Sequence, residues 1–131
     1  MNIIVTNNPM TEAEFRGKFR VEFIESPAEV LTRVRDLVHA GHLLLTHPMP
    51  GSVKPNETPY KSVLMSETKG AVDEQSLRII EDCMQLTRSF PQRDIPTRYH
   101  ADLQMIDLML FTGHPKTLVG YSQSTSTAEE T

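Results

Sequence analysis

A chain of 131 residues, 38% hydrophobic and 23% charged, fits one domain that buries roughly two-thirds of its unfolded surface around a single core. Its formal net charge of -4 argues against a phosphate-backbone partner, so no nucleic acid is expected. Met1 leads into the fold without a basic, apolar leader, and no apolar run nears the roughly 18 residues of a spanning helix, which predicts a cytoplasmic protein with no membrane partner.

Ile3-Ile4-Val5, closed by Thr6-Asn7-Asn8-Pro9, reads as a buried strand ending in a tight loop. Thr11-Glu12-Ala13-Glu14 has capping-box spacing and predicts a short helix that starts there and stops near Gly17. Val21 to Ile24 is the next strand. Ser26 as N-cap, Pro27 at the first helical position and Glu29 three residues after the cap predict a helix from 27 to about 40. Its apolar face is Val30, Leu31, Val34, Leu37 and Val38, and Gly41 ends it.

Leu43-Leu44-Leu45 reads as a further buried strand, and strand, helix, strand with short connections predicts a parallel pair. With strand order 2-1-3, the loops Thr6 to Pro9 and Thr46 to Pro48 become neighbours at strand carboxyl ends, where open parallel sheets bind ligands. Val63-Leu64-Met65 is a fourth strand, antiparallel or at an edge. Asp73 caps a helix from about 74 to 90, which puts the single cysteine, Cys83, on its apolar side as a structural thiol. A third helix runs from Thr97 to Phe111 with apolar residues on several faces, which predicts burial under the sheet or in a homo-oligomer interface. Residues 1 to 115 are thus expected to form a single small α/β domain, a two-layer or three-layer sandwich. It has a mostly parallel short sheet of about four strands and about three main helices. The Ser/Thr-rich segment 116 to 131 reads as a disordered tail.

Between Leu45 and Val63 lie Pro48, Pro50, Pro55 and Pro59 with a dense set of polar side chains. Long connections of this kind are uncommon unless functional, and prolines reduce the entropy cost of ordering one. The candidate ligand-binding residues are Asn7, Asn8, Thr46, His47, Ser52, Lys54, Asn56, Glu57, Tyr60 and Lys61, a set suited to a small anionic metabolite. The competing reading has Asn56, Glu57 and Thr58 bracing the loop through side-chain turns while the lysines stay solvated. His47 with Glu57 could act as a general acid/base pair, with Lys54 or Lys61 holding an anionic substrate, or His47 could be a turn residue bonded within its own loop. Gly-rich phosphate loops and a nucleophile elbow are missing, and no motif calls for a cofactor. His39, His42 and His47 are not expected to bind a metal, because the intervening segment separates His47 from the other two.

The passage Gly41 to Ser62, GHLLLTHPMPGSVKPNETPYKS, resembles the GrdX family, small proteins encoded beside the glycine, sarcosine and betaine reductase components of anaerobic bacteria. Ile3 to Pro9, Val21 to Ile24 and the stretch Gln75 to Asp82 look similar as well, so the likeness covers roughly residues 1 to 111. The resemblance implies an accessory protein of a selenium-dependent reductase system that makes acetyl phosphate from amino acids, with a reductase component as a candidate partner. It carries over no catalytic residue.

Overall fold

The computed structural model describes residues 1–49, 58–89 and 94–112. In chain order these form β1 (Ile3–Thr6), α1 (Pro9–Phe15), β2 (Arg20–Phe23), α2 (Pro27–His39), β3 (Ser62–Met65), α3 (Glu74–Ser89), a 3-10 turn (Thr97–Tyr99) and α4 (His100–Thr112). The sheet has the order β2-β1-β3. β1 runs parallel to β2, with Val5 opposite Glu22, and antiparallel to β3, with Val5 opposite Val63 and Thr6 opposite Ser62. The fold is therefore mixed α/β, with three strands among the described residues instead of about four and a mixed rather than mostly parallel sheet.

Every residue of β1 and β3 is buried, and the pleat sorts their side chains to two faces. Ile3, Val5, Val63 and Met65 pack with the buried stripe of α2 and with Ile80 of α3. Ile4 and Leu64 point the other way, onto Phe111 of α4, and Phe15 of α1 meets Phe111 edge-to-face at 5.7 Å. Each fully buried aliphatic side chain contributes roughly 1.5 to 3 kcal/mol. Helices thus cover both faces of the sheet. No helix of the described residues is long and apolar enough to cross a membrane.

Local chemistry explains the element boundaries. Ser26 Oγ accepts from Glu29 N–H at 3.4 Å to open α2, and Gly41, at φ 105°, closes it. A Cβ on Gly41 would run into the Gly70 backbone, which itself donates N–H to Gly41 O at 3.1 Å. Asp73 opens α3 by accepting from Ser76 N–H at 2.9 Å. α1 begins earlier than the capping-box spacing predicts. Asn8 is its cap, Oδ1 accepting from Met10 N–H at 2.9 Å, with Pro9 in the first turn. Thr11 lies inside the helix with its hydroxyl buried.

Leu43-Leu44-Leu45 is not a parallel strand. It makes one antiparallel bridge, Leu44 with Met65, on the far side of β3 from β1. Side chains take the hydrogen bonds that would extend it: Leu43 N–H goes to Ser66 Oγ at 2.8 Å, Leu44 N–H to Ser76 Oγ at 3.1 Å. Thr46 Oγ1 accepts Leu64 N–H at 2.9 Å, a donor that a continued ladder would hand to a backbone carbonyl. The loops at Thr6 to Pro9 and Thr46 to Pro48 are consequently not on neighbouring strands, because β3 lies between them.

Candidate functional site

The polar end of the sheet is built where β1 stops. Thr6, Asn7 and Asn8 follow three aliphatic residues and are all buried, so each polar atom needs a partner. Asn7 clamps the entry to β3: its Oδ1 accepts from Lys61 N–H at 2.8 Å and its Nδ2 donates to Pro59 O at 2.5 Å. Asn8 ties α1 to α4, its Nδ2 donating to Gln104 O at 2.8 Å and to Asp107 Oδ2 at 2.9 Å. Thr6 Oγ1 donates to Lys61 O at 2.8 Å, accepts from Asn8 N–H at 2.9 Å and lies 2.8 Å from Ser62 Oγ. Ser62 Oγ in turn lies 2.9 Å from Thr11 Oγ1 and 2.7 Å from Asp107 Oδ2.

A second set of contacts extends this network outward. His100 Nε2–H donates to Ile95 O at 3.1 Å, which leaves Nδ1 to accept from the Tyr60 hydroxyl at 3.1 Å. Gln104 Nε2 donates to the same Tyr60 oxygen at 2.9 Å.

Lys61 is the exception in this satisfied neighbourhood. It is only 6% exposed, and its ammonium makes no hydrogen bond or ion pair with the described residues. The pleat that puts Val63 and Met65 on the α3 side places Lys61 there too, and its charge acts on the Cys83 thiol of α3 and on Asp107. Burial lowers its pKa below the usual lysine value, opposed by the nearby Asp107 carboxyl and Cys83 thiol. Burial likewise raises the Asp107 carboxyl, opposed by hydrogen bonds from Asn8 and Ser62 and by the Lys61 charge. Burial pushes the Cys83 thiol up to about 11, so this residue is a protonated structural thiol at neutral pH.

The expected ligand residues therefore divide. Asn7, Asn8 and Tyr60 are brought together with Lys61 at the sheet end, and their side chains brace it. Thr46 is spent on Leu64 N–H across β3. His47 Nδ1 accepts from Met49 N–H at 3.0 Å, the turn contact of its own loop, and partial removal of the ring from water lowers its pKa. Ser52, Lys54, Asn56 and Glu57 lie outside the described residues. His42 is occupied structurally, its Nδ1–H donating to Ser66 O at 2.7 Å. The residues not anticipated are Thr6, Thr11, Ser62, His100, Gln104 and Asp107. For Asp107 a signal exists: it is the lone acid within the apolar run Leu103 to Phe111.

Comparison with known proteins adds a family. A family model described as GrdX-like protein matches residues 3–114 of this chain. Neither the curated proteins nor the solved structures give a match.

Proposed function

The chain belongs to the GrdX-like protein family, and from that membership we propose that it is an accessory protein of a glycine reductase system that binds a small anionic metabolite at the polar end of its sheet. The observation that carries this reading is Lys61. The Lys61 side chain is largely removed from water and makes no hydrogen bond or ion pair with the described residues, a cost of burial that an incoming anion would offset. The hydrogen bonds around it hold its backbone on both sides, from Asn7 and Thr6, so the charge sits on a preformed support. Ser52, Lys54, Asn56 and Glu57, outside the described residues, remain proposed ligand residues of the same loop.

The reading as a small enzyme with His47 as acid/base has less support, because the His47 Nδ1 lone pair is engaged by Met49. Contact with a reductase component, or with a second copy of the chain through α4, belongs to the same proposal. Its support is the exposure of Met105, Ile106 and Met109.

Calorimetric titration with acetate, inorganic phosphate and acetyl phosphate tests the site. Lys61→Met should weaken binding of whichever anion the native protein takes by about tenfold to a hundredfold, the effect of one charge-assisted contact. Absence of binding by every anion at millimolar concentration, or equal binding by native and variant, would overturn the reading.

A further inference from the structure

β2 is an outer strand of the sheet, and its register fixes which of its backbone groups face outward. Arg20 N–H goes to Asn2 O at 3.0 Å and Ile24 N–H to Thr6 O at 2.9 Å, so along this parallel pair Arg20, Glu22 and Ile24 turn their peptide groups to β1. Val21 and Phe23, between them, turn N–H and C=O to the outer edge, where no described residue pairs with them. The side chains alternate as well. Val21 packs with the cluster of Ile4, Leu64 and Phe111, and Phe23 is 39% exposed. Arg20 and Glu22 lie on the α2 side, where the Glu22 carboxylate accepts from Arg33 at 2.7 Å and from Arg20 at 3.0 Å.

An edge of this kind accepts a further strand, and the charges on β2 say which one. We propose that β2 pairs antiparallel with β2 of a second copy of the chain, about a twofold axis through Val21, so that two sheets join into one. Outward groups pair with outward groups, which limits the symmetric registers within the strand to those centred on Val21, Glu22 or Phe23. Centred on Val21, the two Val21 residues exchange both N–H···O bonds, and Arg20 of each copy lies opposite Glu22 of the other in non-hydrogen-bonded pairs, where side chains are closest. The exposed Phe23 ring then meets Phe19 of the second copy. Centred on Glu22, two carboxylates oppose each other. Centred on Phe23, Glu22 faces Ile24 and no opposite charges are paired across the strands. Charge complementarity therefore selects the axis through Val21.

The ladder is short, because Phe19 N–H turns back to Phe15 O at 3.1 Å and closes it. Interfaces below about 1,200 Å² are weak or transient, so this pairing belongs to high protein concentration. It uses other residues than the outer side of α4 and stands apart from the anion reading. Because β2 runs parallel to β1 and antiparallel to its counterpart, the two polar sheet ends point in opposite directions, and pairing sets neither against the other.

The test is sedimentation velocity of the native protein from micromolar to millimolar concentration, repeated on Arg20→Glu, with disulfide trapping of Val21→Cys and Phe23→Cys. The native protein should shift toward the mass of two chains as concentration rises. Arg20→Glu, an exposed position, sets acid against acid on both sides of the axis and should sediment as one chain throughout. Directly opposed hydrogen-bonded residues lie about 5.5 Å apart between Cα atoms, within disulfide reach, so Val21→Cys should give a linked dimer with oxidised glutathione. The two Phe23 residues are then offset by roughly 13 Å along the strands, beyond that reach, and Phe23→Cys should stay unlinked. The native protein under the same oxidant controls for the buried Cys83. A native protein that sediments as one chain at millimolar concentration would overturn the proposal. So would a dimer that survives Arg20→Glu and is lost in Met109→Glu, since the contact would then lie on α4. Linking through Phe23→Cys in place of Val21→Cys would overturn the axis through Val21. The native concentration series needs no variant to fold.

Discussion

Asp107 sits where an apolar helix would ordinarily place a leucine, and burial is the reason its carboxyl is raised above the usual aspartate value. The consequence for stability has a definite sign. A carboxyl with a folded pKa above its unfolded one contributes stability that is complete below the unfolded value and is lost as pH rises through the folded value. Urea unfolding of the native protein should therefore show a decline from about pH 4 upward that Asp107→Asn lacks. Glu22 works in the opposite direction: hydrogen bonding from Arg33, at 2.7 Å, holds its carboxyl low, so its contribution is lost as pH falls. Comparing native and Asp107→Asn profiles cancels the Glu22 effect, and coincident profiles would contradict the assignment. Asp107 was visible in the sequence only as an acid out of place. Its partners Asn8 and Ser62 come from the cap of α1 and from β3, and no local spacing brings them to it.

At the level of elements, the caps separate what is local from what is not. Ser26 is a cap and little else, and its bond to Glu29 N–H is long at 3.4 Å, so Ser26→Ala should cost about 0.5 to 1 kcal/mol. Asn8 caps α1 and also holds α4 through Gln104 O and Asp107 Oδ2. Asn8→Ala should cost about 2 to 3 kcal/mol, because it leaves buried partners unsatisfied as well. Thermal unfolding of the two variants orders them, and equal losses would mean that Asn8 acts only as a cap. The helices and β1 were legible because their signals are local: Ser26-Pro27, Gly41, Asp73 and the apolar spacing of α2. Leu43-Leu44-Leu45 was misread on both counts, since Leu43 is exposed and Leu44 and Leu45 are only half-buried, and an apolar run says nothing of pairing. Ser66 and Ser76, each more than twenty residues away, take the Leu43 and Leu44 N–H groups, while Thr46 takes Leu64 N–H. Thr11-Glu12-Ala13-Glu14 mimicked a helix start inside a helix that Asn8 had already opened.

At the scale of the molecule, the sheet end and the outer side of α4 are features that packing among the described residues leaves unfinished. Met105, Ile106 and Met109 are each about half exposed on the face of α4 turned from the core. If α4 joins two copies, Met109→Glu should lower the sedimentation coefficient of the native protein to that of a single chain. A native protein that already sediments as one chain would remove that contact. Most of the central loop that the sequence singles out lies outside the described residues. Which of the described candidates remains chemically free was not legible, because Asn7, Tyr60 and Thr46 find partners that only the fold supplies. Among the described candidates, Lys61 emerges buried and without a side-chain bond to the described residues. Its titration by carbon-detected NMR, without anion and then with acetate or phosphate, examines that state directly. The account predicts a Lys61 pKa below the ordinary lysine value in the free protein and an upward shift when an anion binds, because an opposite charge favours the ammonium. An ordinary pKa that neither anion moves would contradict it.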